Sequence, residues 1–213
     1  MEPVGRAHSR RWGEATSRVV RVLATSPLPP TQWDLARVLG VSQARVSQIL
    51  TMLSRAGALR DGDVDLGMLA DLYLRHHRPA LRSIQLWYGL DDQYRQVRQT
   101  LEEAARREVA LAVSADLAPD LLAAWRVPSC TVVYVASALD LEPAGFVPAS
   151  APGEATLIVR EVKDASLAVP WRTVRETPLV HPLQAVWDLH DLGGADRREA
   201  ADRLLLAMAA SRA

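Results

Sequence analysis

The chain has 213 residues, 49% of them hydrophobic, which is enough to form one large core or two modest ones and argues against a disordered chain. The most apolar run, Thr131 to Leu141, has about half of the ~20 residues that a membrane-spanning helix needs. The net charge is zero, but residues 1–60 hold nine arginines against three acidic residues, so that +6 there is balanced by −6 in the remainder. This asymmetry indicates a polyanion-binding module joined to a domain with another task.

The predicted location is the cytoplasm, with no membrane partner. Residues 1–12 carry Arg6, Arg10 and Arg11 with no apolar stretch behind them, unlike a signal peptide. The single cysteine, Cys130, has no partner for an intrachain disulfide, which fits a reducing compartment. Its apolar surroundings predict a small buried side chain rather than a reactive thiol.

Three helices and a hairpin are predicted in residues 1–66. The predicted elements are helices at about Glu14–Ala24 and Gln32–Leu39, a third helix that follows Ser42 and runs to about Arg55, and two short extended pieces between Ala58 and Leu66 around an Asp61-Gly62 turn. Thr31 and Ser42 are expected N-caps, and Gly57 is expected to close the third helix. This is the order of a winged helix, and we predict a winged helix-turn-helix DNA-binding domain over 1–66.

The second and third helices have the pattern of a helix-turn-helix. Ala36 supplies a small residue where two helices cross steeply, and Gly40, four positions later, tolerates the positive φ of a tight turn. Five apolar residues fall on the faces that must pack inward: Leu35, Leu39, Val41, Val46 and Ile49. Each of these residues is common alone, but their joint occurrence at this fixed spacing is specific for a helix-turn-helix.

The exposed side of the third helix is predicted to read DNA. Glutamine can pair with adenine and arginine with guanine, and no acidic residue on this face would repel phosphate. Arg37, Arg55 and Arg60 are expected to contact the phosphate backbone. The predicted DNA-binding residues are Thr31, Arg37, Ser42, Gln43, Ala44, Arg45, Ser47, Gln48, Thr51, Arg55 and Arg60. A three-helix module that binds another protein is the alternative, although its exposed face would be expected to carry larger apolar residues.

Residues 67–82 are predicted to form a linker helix, and 83–213 a mixed α/β domain. The expected strands are Ser83–Tyr88, Val109–Val113, Thr131–Ala136 and Thr156–Val162, and the expected helices are Gln93–Glu108, Pro119–Trp125, Pro182–His190 and Arg197–Ala210. The overall class is α+β, with helices at the C-terminal end.

The second domain shows no catalytic pattern, so we predict no enzyme, no catalytic residue, no cofactor and no metal site. Nucleotidyl transfer needs a Gly-Ser turn and closely spaced carboxylates, whereas Asp116, Asp120, Asp140 and Asp164 stand alone. Asp61 and Asp63 are interpreted as turn formers, and His76 and His77 as solvated surface residues. His181 and His190 are expected to be structural, and Trp171 and Trp187 to lie in a core or interface.

Taken together, the chain resembles the AbiEi-type antitoxins of type IV toxin-antitoxin systems and related winged-helix regulators. Besides the helix-turn-helix, the resemblance rests on Ala112-Val113-Ser114-Ala115-Asp116-Leu117-Ala118 leading through Trp125-Arg126-Val127-Pro128 to Thr131–Val135, and on His181–Leu189 followed by Gly193-Gly194 and Arg198-Glu199-Ala200-Ala201. It departs from the family at Ser114, where a glycine is frequent, and matches weakly over Asp140–Pro152. The resemblance implies a C-terminal domain similar to a nucleotidyltransferase fold without its activity.

The function predicted from the sequence is that of a promoter-binding repressor with double-stranded DNA as its partner. The resemblance implies in addition that the protein represses its own operon, and that a toxin is its partner or functional antagonist. Two alternatives stay open: a regulator whose C-terminal domain binds a small molecule, and an active nucleotidyltransferase with a DNA-binding domain. A dimer would suit repeated half-sites, but no heptad run supplies a dimerisation element, so the oligomeric state stays open.

Overall fold

The structure, a computed structural model, describes residues 12–60, 63–123 and 127–212. It is mixed α+β with a seven-stranded mixed sheet, which confirms the predicted class. The described residues form two compact units, one up to Arg78 together with the residues from Leu205 onward, and the other from Pro79 to Leu204. None of the described helices combines the length and the apolar character needed to cross a membrane.

The first unit is mainly helical, and the bounds of its first three helices lie within one residue of the prediction. It contains α1 (Glu14–Thr25), α2 (Gln32–Leu39), α3 (Gln43–Arg55), the paired strands β1 (Leu59–Arg60) and β2 (Asp63–Val64), and α4 (Leu66–His76). Its core includes Val19, Val20 and Leu23 of α1, each at most 1% exposed. The predicted Asp61-Gly62 turn lies outside the described residues.

The helix α4 belongs to the first unit, whereas 67–82 was predicted to be a linker. Its Tyr73 is fully buried, accepts a hydrogen bond from Arg21 at 3.3 Å and stacks on His77 with ring centroids 4.3 Å apart. Ser17 Oγ and His77 Nδ1 are hydrogen-bonded at 2.9 Å. These contacts fasten the end of α4 to α1, and they make the interpretation of His77 as a solvated residue wrong.

The end of the chain also differs from the predicted division, which placed all of 83–213 in the second domain. Residues from Leu205 onward belong to the first unit. There the Arg212 guanidinium donates a hydrogen bond to the Leu23 carbonyl at the end of α1.

The second unit is built on the seven-stranded sheet. Its elements are β3 (Leu81–Tyr88), α5 (Gln93–Arg106), β4 (Leu111–Ala115), α6 (Leu117–Ala123), β5 (Thr131–Val135), β6 (Val147–Pro148), β7 (Leu157–Val162), β8 (Arg172–Val174), β9 (Thr177–Leu179), α7 (Pro182–Leu192) and α8 (Ala195–Ala210), whose last residues lie in the first unit. The order of the strands in the sheet is β6-β3-β7-β5-β4-β9-β8. Residues 124–126, which carry the predicted end of α6 and part of the family resemblance, lie outside the described residues.

The centre of this sheet consists of β4, β5 and β7. All residues of β4 and β5 are buried, which explains why they read as continuous apolar runs rather than as alternating patterns. β5 pairs antiparallel with β4 through Val113 and Val133 and parallel with β7 through Val133 and Val159. The four strands predicted from sequence are all present.

The strands β6, β8 and β9 were not predicted. Each has only two or three residues, too few to establish an alternating pattern. The β8–β9 hairpin turns through Arg175 and Glu176, whose φ angles are 47° and 64°. Such turns usually carry Asn-Gly or Asp-Gly, so this one gave no sequence signal.

Candidate nucleic-acid interface

The connection between α2 and α3 has the geometry that the sequence predicted. The Thr31 hydroxyl caps α2 by accepting from the Asp34 backbone at 3.2 Å, and Ser42 caps α3 by accepting from the Arg45 backbone at 3.2 Å. Gly40 ends α2 with φ 64° and ψ 35°, a left-handed conformation that favours glycine. Both helix starts and the turn are therefore fixed by local interactions.

The inward face of α3 is apolar. Val46, Ile49 and Leu53 are at most 2% exposed, and Leu35 and Leu39 of α2 are also buried. Val41, in the connection, is half-buried. The polar side chains of α3, by contrast, are exposed or half-buried.

The outward face of α3 is polar. Gln43, Ala44, Gln48, Thr51 and Arg55 are exposed, as is the capping residue Ser42, while Arg45 and Ser47 are half-buried. Arg45 Nη1 donates to Gln48 Oε1 at 3.4 Å, and the Thr51 hydroxyl donates to the Ser47 carbonyl at 2.8 Å. No acidic residue occurs in the α3 sequence. The face thus offers amide, hydroxyl and guanidinium groups to a ligand.

The other predicted contact residues lie outside α3. The Thr31 hydroxyl, which caps α2, also donates to the Asp34 carboxylate at 2.7 Å. Arg37 lies 3.8 Å from the same carboxylate and stacks on Trp33, 4.8 Å from the ring centroid. Arg60 is exposed on β1. Asp34 of α2 therefore engages both Thr31 and Arg37.

A groove of about 580 Å³ lies beside α3 in the first unit. Its lining residues from α3 are Arg45, Ser47, Gln48, Ile49, Thr51, Met52 and Arg55, and the others are Trp12, Ala56, Leu72 and His76. His76 is exposed, as predicted, and its ring lies 5.4 Å from that of Trp12. The sequence did not predict this groove, because Trp12 and Leu72 lie far from α3 along the chain and give no joint signal with it.

In the second unit, a buried polar cluster surrounds Asp188 of α7, which is fully buried. Its carboxylate accepts from Arg160 Nη1 at 2.6 Å, from the Tyr134 hydroxyl at 2.7 Å and from Ser114. Arg160 also contacts Asp191 at 2.6 Å. Burial raises the pKa of Tyr134 well above its usual value and the Asp188 charge adds to the shift, so the phenol stays a hydrogen-bond donor.

A second cluster surrounds Asp116, which follows β4. Arg197 Nε donates to Oδ1 at 2.8 Å, and the backbone amides of Ser129 and Cys130 each donate to Oδ2 at 3.1 Å. Burial by itself raises the pKa of Asp116, but the hydrogen bonds and charge of Arg197, with the two backbone amides, outweigh it and lower the pKa. Cys130 is buried, as predicted, and burial raises the pKa of its thiol to about 11.

The Asp116 cluster gives a pH-dependent prediction. A carboxylate whose pKa is lower in the folded state stabilises the fold fully above the unfolded pKa of about 3.9, and this stabilisation is lost as pH falls through the folded value. We expect Asp116→Asn to lower the free energy of unfolding by about 1–3 kcal/mol at pH 7 and to lose less stability than the wild type between pH 5 and pH 3. Urea unfolding at pH 7, 5, 4 and 3 measures both.

The matched control is Asp202→Asn, which removes an exposed carboxylate from α8. It should change the free energy of unfolding by no more than about 0.5 kcal/mol. Parallel acid profiles of the wild type and Asp116→Asn would show that the ion pair does not govern the acid response.

The surroundings differ among His181, His190, Trp171 and Trp187 of the second unit. His181 Nδ1 accepts from the Leu183 backbone at 3.1 Å and so caps α7, the structural role that was predicted. Trp187 is buried, whereas Trp171 is 38% exposed, and His190 is exposed. Across 12–60, 63–123 and 127–212, no three His, Cys, Asp or Glu side chains are grouped in a way that could hold a metal ion.

Comparison with known proteins gave no match: no protein-family model, no curated protein and no solved structure is similar to the chain at a significant level. The likeness to AbiEi-type antitoxins therefore stays a prediction from the residues.

Proposed function

We propose that the protein is a sequence-specific DNA-binding transcriptional regulator whose first unit is a winged helix-turn-helix. The observation that carries this proposal is the outward face of α3, which is polar, lacks acidic residues and is held by a buried opposite face. A major groove about 12 Å wide accommodates one α-helix, and short polar side chains let such a helix approach the base edges. The excess of arginine in residues 1–60 would draw this unit to phosphate.

The side chains of the proposed interface fall into two groups by their chemistry. Gln43, Arg45 and Gln48 have the donors and acceptors for base edges. Ser42 stands at the N-terminus of α3, where backbone amides favour a phosphate, and Arg55 and Arg60 are exposed cations for the backbone. Thr31 and Arg37 have a secondary role in this proposal because Asp34 engages both.

More specifically, we propose that the protein is a cytoplasmic promoter-binding repressor, and that it is an antitoxin if the family resemblance holds. In that case the second unit would be a nucleotidyltransferase-like domain without activity, acting with or against a toxin. What supports inactivity is that the carboxylates of Asp116 and Asp188 are each paired with an arginine, whereas phosphoryl transfer needs carboxylates available to metal ions. Binding of two copies to repeated half-sites would fit promoter repeats.

The test is selection of bound duplexes from a random pool, followed by fluorescence anisotropy at several salt concentrations. We expect one sequence to be enriched, and its affinity to fall steeply with salt because bound phosphates release counterions. Arg55→Gln should weaken selected and random duplexes alike and reduce the slope of log K against log salt by about 0.9, the contribution of one phosphate.

The control is Arg95→Gln, which removes an exposed, ion-paired arginine of α5 in the second unit and should leave the slope unchanged. Failure to enrich any sequence, with affinities equal for all duplexes, would remove sequence-specific regulation as the function.

A further inference from the structure

The groove beside α3 combines an apolar interior with cationic edges. Ile49 is 2% exposed and Met52 and Leu72 are half-buried, whereas the Arg55 side chain is exposed. The rings of Trp12 and His76 face the same space, 5.4 Å apart and inclined by 31°. Trp12 Nε1 donates to Ser17 at 3.0 Å, so this indole offers the groove its apolar ring rather than its donor.

The dimensions suit a small molecule. The volume of about 580 Å³ falls within the ~300–1,000 Å³ of small-molecule sites, which are mostly apolar with a few directional polar groups. Here the directional groups are Arg45, Arg55, Gln48 and Thr51, and no acidic side chain is among the described lining residues. Guanidinium groups bind carboxylates in bidentate fashion, and an aromatic wall favours a planar ring.

We infer that this groove binds a small aromatic carboxylic acid, with its ring against Trp12 and Leu72 and its carboxylate on one of the two guanidinium groups of the lining, that of Arg45 or that of Arg55. Resting on the proposed function, the inference adds a regulatory consequence. Arg45, Gln48, Thr51 and Arg55 line the groove and also belong to the proposed DNA-reading face. An acid in the groove therefore competes with DNA for the same side chains and acts as an inducer.

Calorimetric titration of the full chain without DNA tests the site. The probe is indole-3-acetate, and its neutral counterpart, indole-3-acetamide, has nearly the same shape without the charge. We expect the acid to bind at least about tenfold more tightly than the amide, the effect of one charge-assisted hydrogen bond. If the acid and the amide bind the wild-type protein equally well, or if neither gives binding heat, the inference is overturned. This outcome requires no variant.

Two variants locate the binding. Arg45→Gln combined with Arg55→Gln should make acid and amide bind equally, and Leu72→Trp, which fills the groove from α4, should weaken both at least about tenfold. The control is Arg75→Gln, an exposed α4 arginine 3.5 Å from Asp71 and outside the groove lining, which should bind the acid like the wild type. Binding that persists in both groove variants would place the acid elsewhere and overturn the inference.

Competition with DNA is measured by anisotropy on the selected duplex. For strict competition, the acid at ten times its Kd weakens DNA binding by about tenfold, and the amide at the same concentration has a smaller effect. An acid that binds the groove yet leaves DNA affinity unchanged would overturn the competition. If no duplex is selected at all, the proposed function fails, and calorimetry still decides whether the groove binds the acid.

Discussion

The variant Gln43→Ala/Arg45→Ala is expected to fold like the wild type and to lose its preference for the selected DNA sequence. Gln43 is exposed and Arg45 is half-buried, whereas the core face of α3 is formed by Val46, Ile49 and Leu53. Alanine keeps the helix, and the backbone amide of residue 45 still donates to Ser42. Each bidentate base contact contributes about 1–3 kcal/mol to discrimination, so the selected duplex should bind about a hundredfold less tightly.

Anisotropy with the selected and a scrambled duplex checks this prediction, and thermal unfolding checks the fold. The scrambled duplex should lose far less affinity than the selected one, because it is bound mainly through phosphate. Arg98→Ala/Gln99→Ala, which removes the same two residue types from α5, is the control and should keep the sequence preference. If the α3 variant still discriminates like the wild type, α3 is not the element that reads bases.

Local chemistry explains why most of the first unit could be predicted. The bounds of α2 and α3 follow from Thr31, Gly40 and Ser42, whose effects act within four residues along the chain. That α4 belongs to the first unit could not be predicted in this way. It depends on contacts such as that of Ser17 with His77, sixty residues apart, and the sequence around either residue does not indicate its partner.

The candidate site was predicted only in part for the same reason. The exposed residues of α3 follow from helical periodicity once Val46 and Ile49 are placed inward. The groove requires Trp12 and two residues of α4, Leu72 and His76, to meet α3, and only the tertiary arrangement brings these three segments together. Its apolar members look like ordinary core residues in the sequence.

The sequence does contain a signal for the Asp188 cluster. Arg160 interrupts the apolar strand Leu157–Val162, and Asp188 interrupts the apolar helix Pro182–Leu192. A charge in a segment that must be buried needs an opposite charge or several hydrogen bonds nearby. Pairing the interruptions of two buried elements would have predicted this contact, although not the part played by Tyr134 and Ser114.

Arg160→Met is expected to lower the free energy of unfolding by about 3–5 kcal/mol. The substitution keeps much of the side-chain volume but leaves the Asp188 carboxylate, which is fully buried, without its counter-charge. The hydrogen bonds from Tyr134 and Ser114 remain, and they do not replace a cation at 2.6 Å. Urea unfolding at pH 7 measures the loss.

A double-mutant cycle separates lost charge compensation from lost packing. In Arg160→Met/Asp188→Asn neither charge remains, and the amide can still accept from Tyr134, so we expect the double variant to be more stable than Arg160→Met by about 1–2 kcal/mol. The exposed pair Glu199 and Arg203, 3.2 Å apart on α8, is the control, and breaking it should cost about 1 kcal/mol or less. Strict additivity of the two buried substitutions would mean that packing, rather than the unpaired carboxylate, accounts for the instability, because two groups that neutralise each other inside a protein cannot be removed independently.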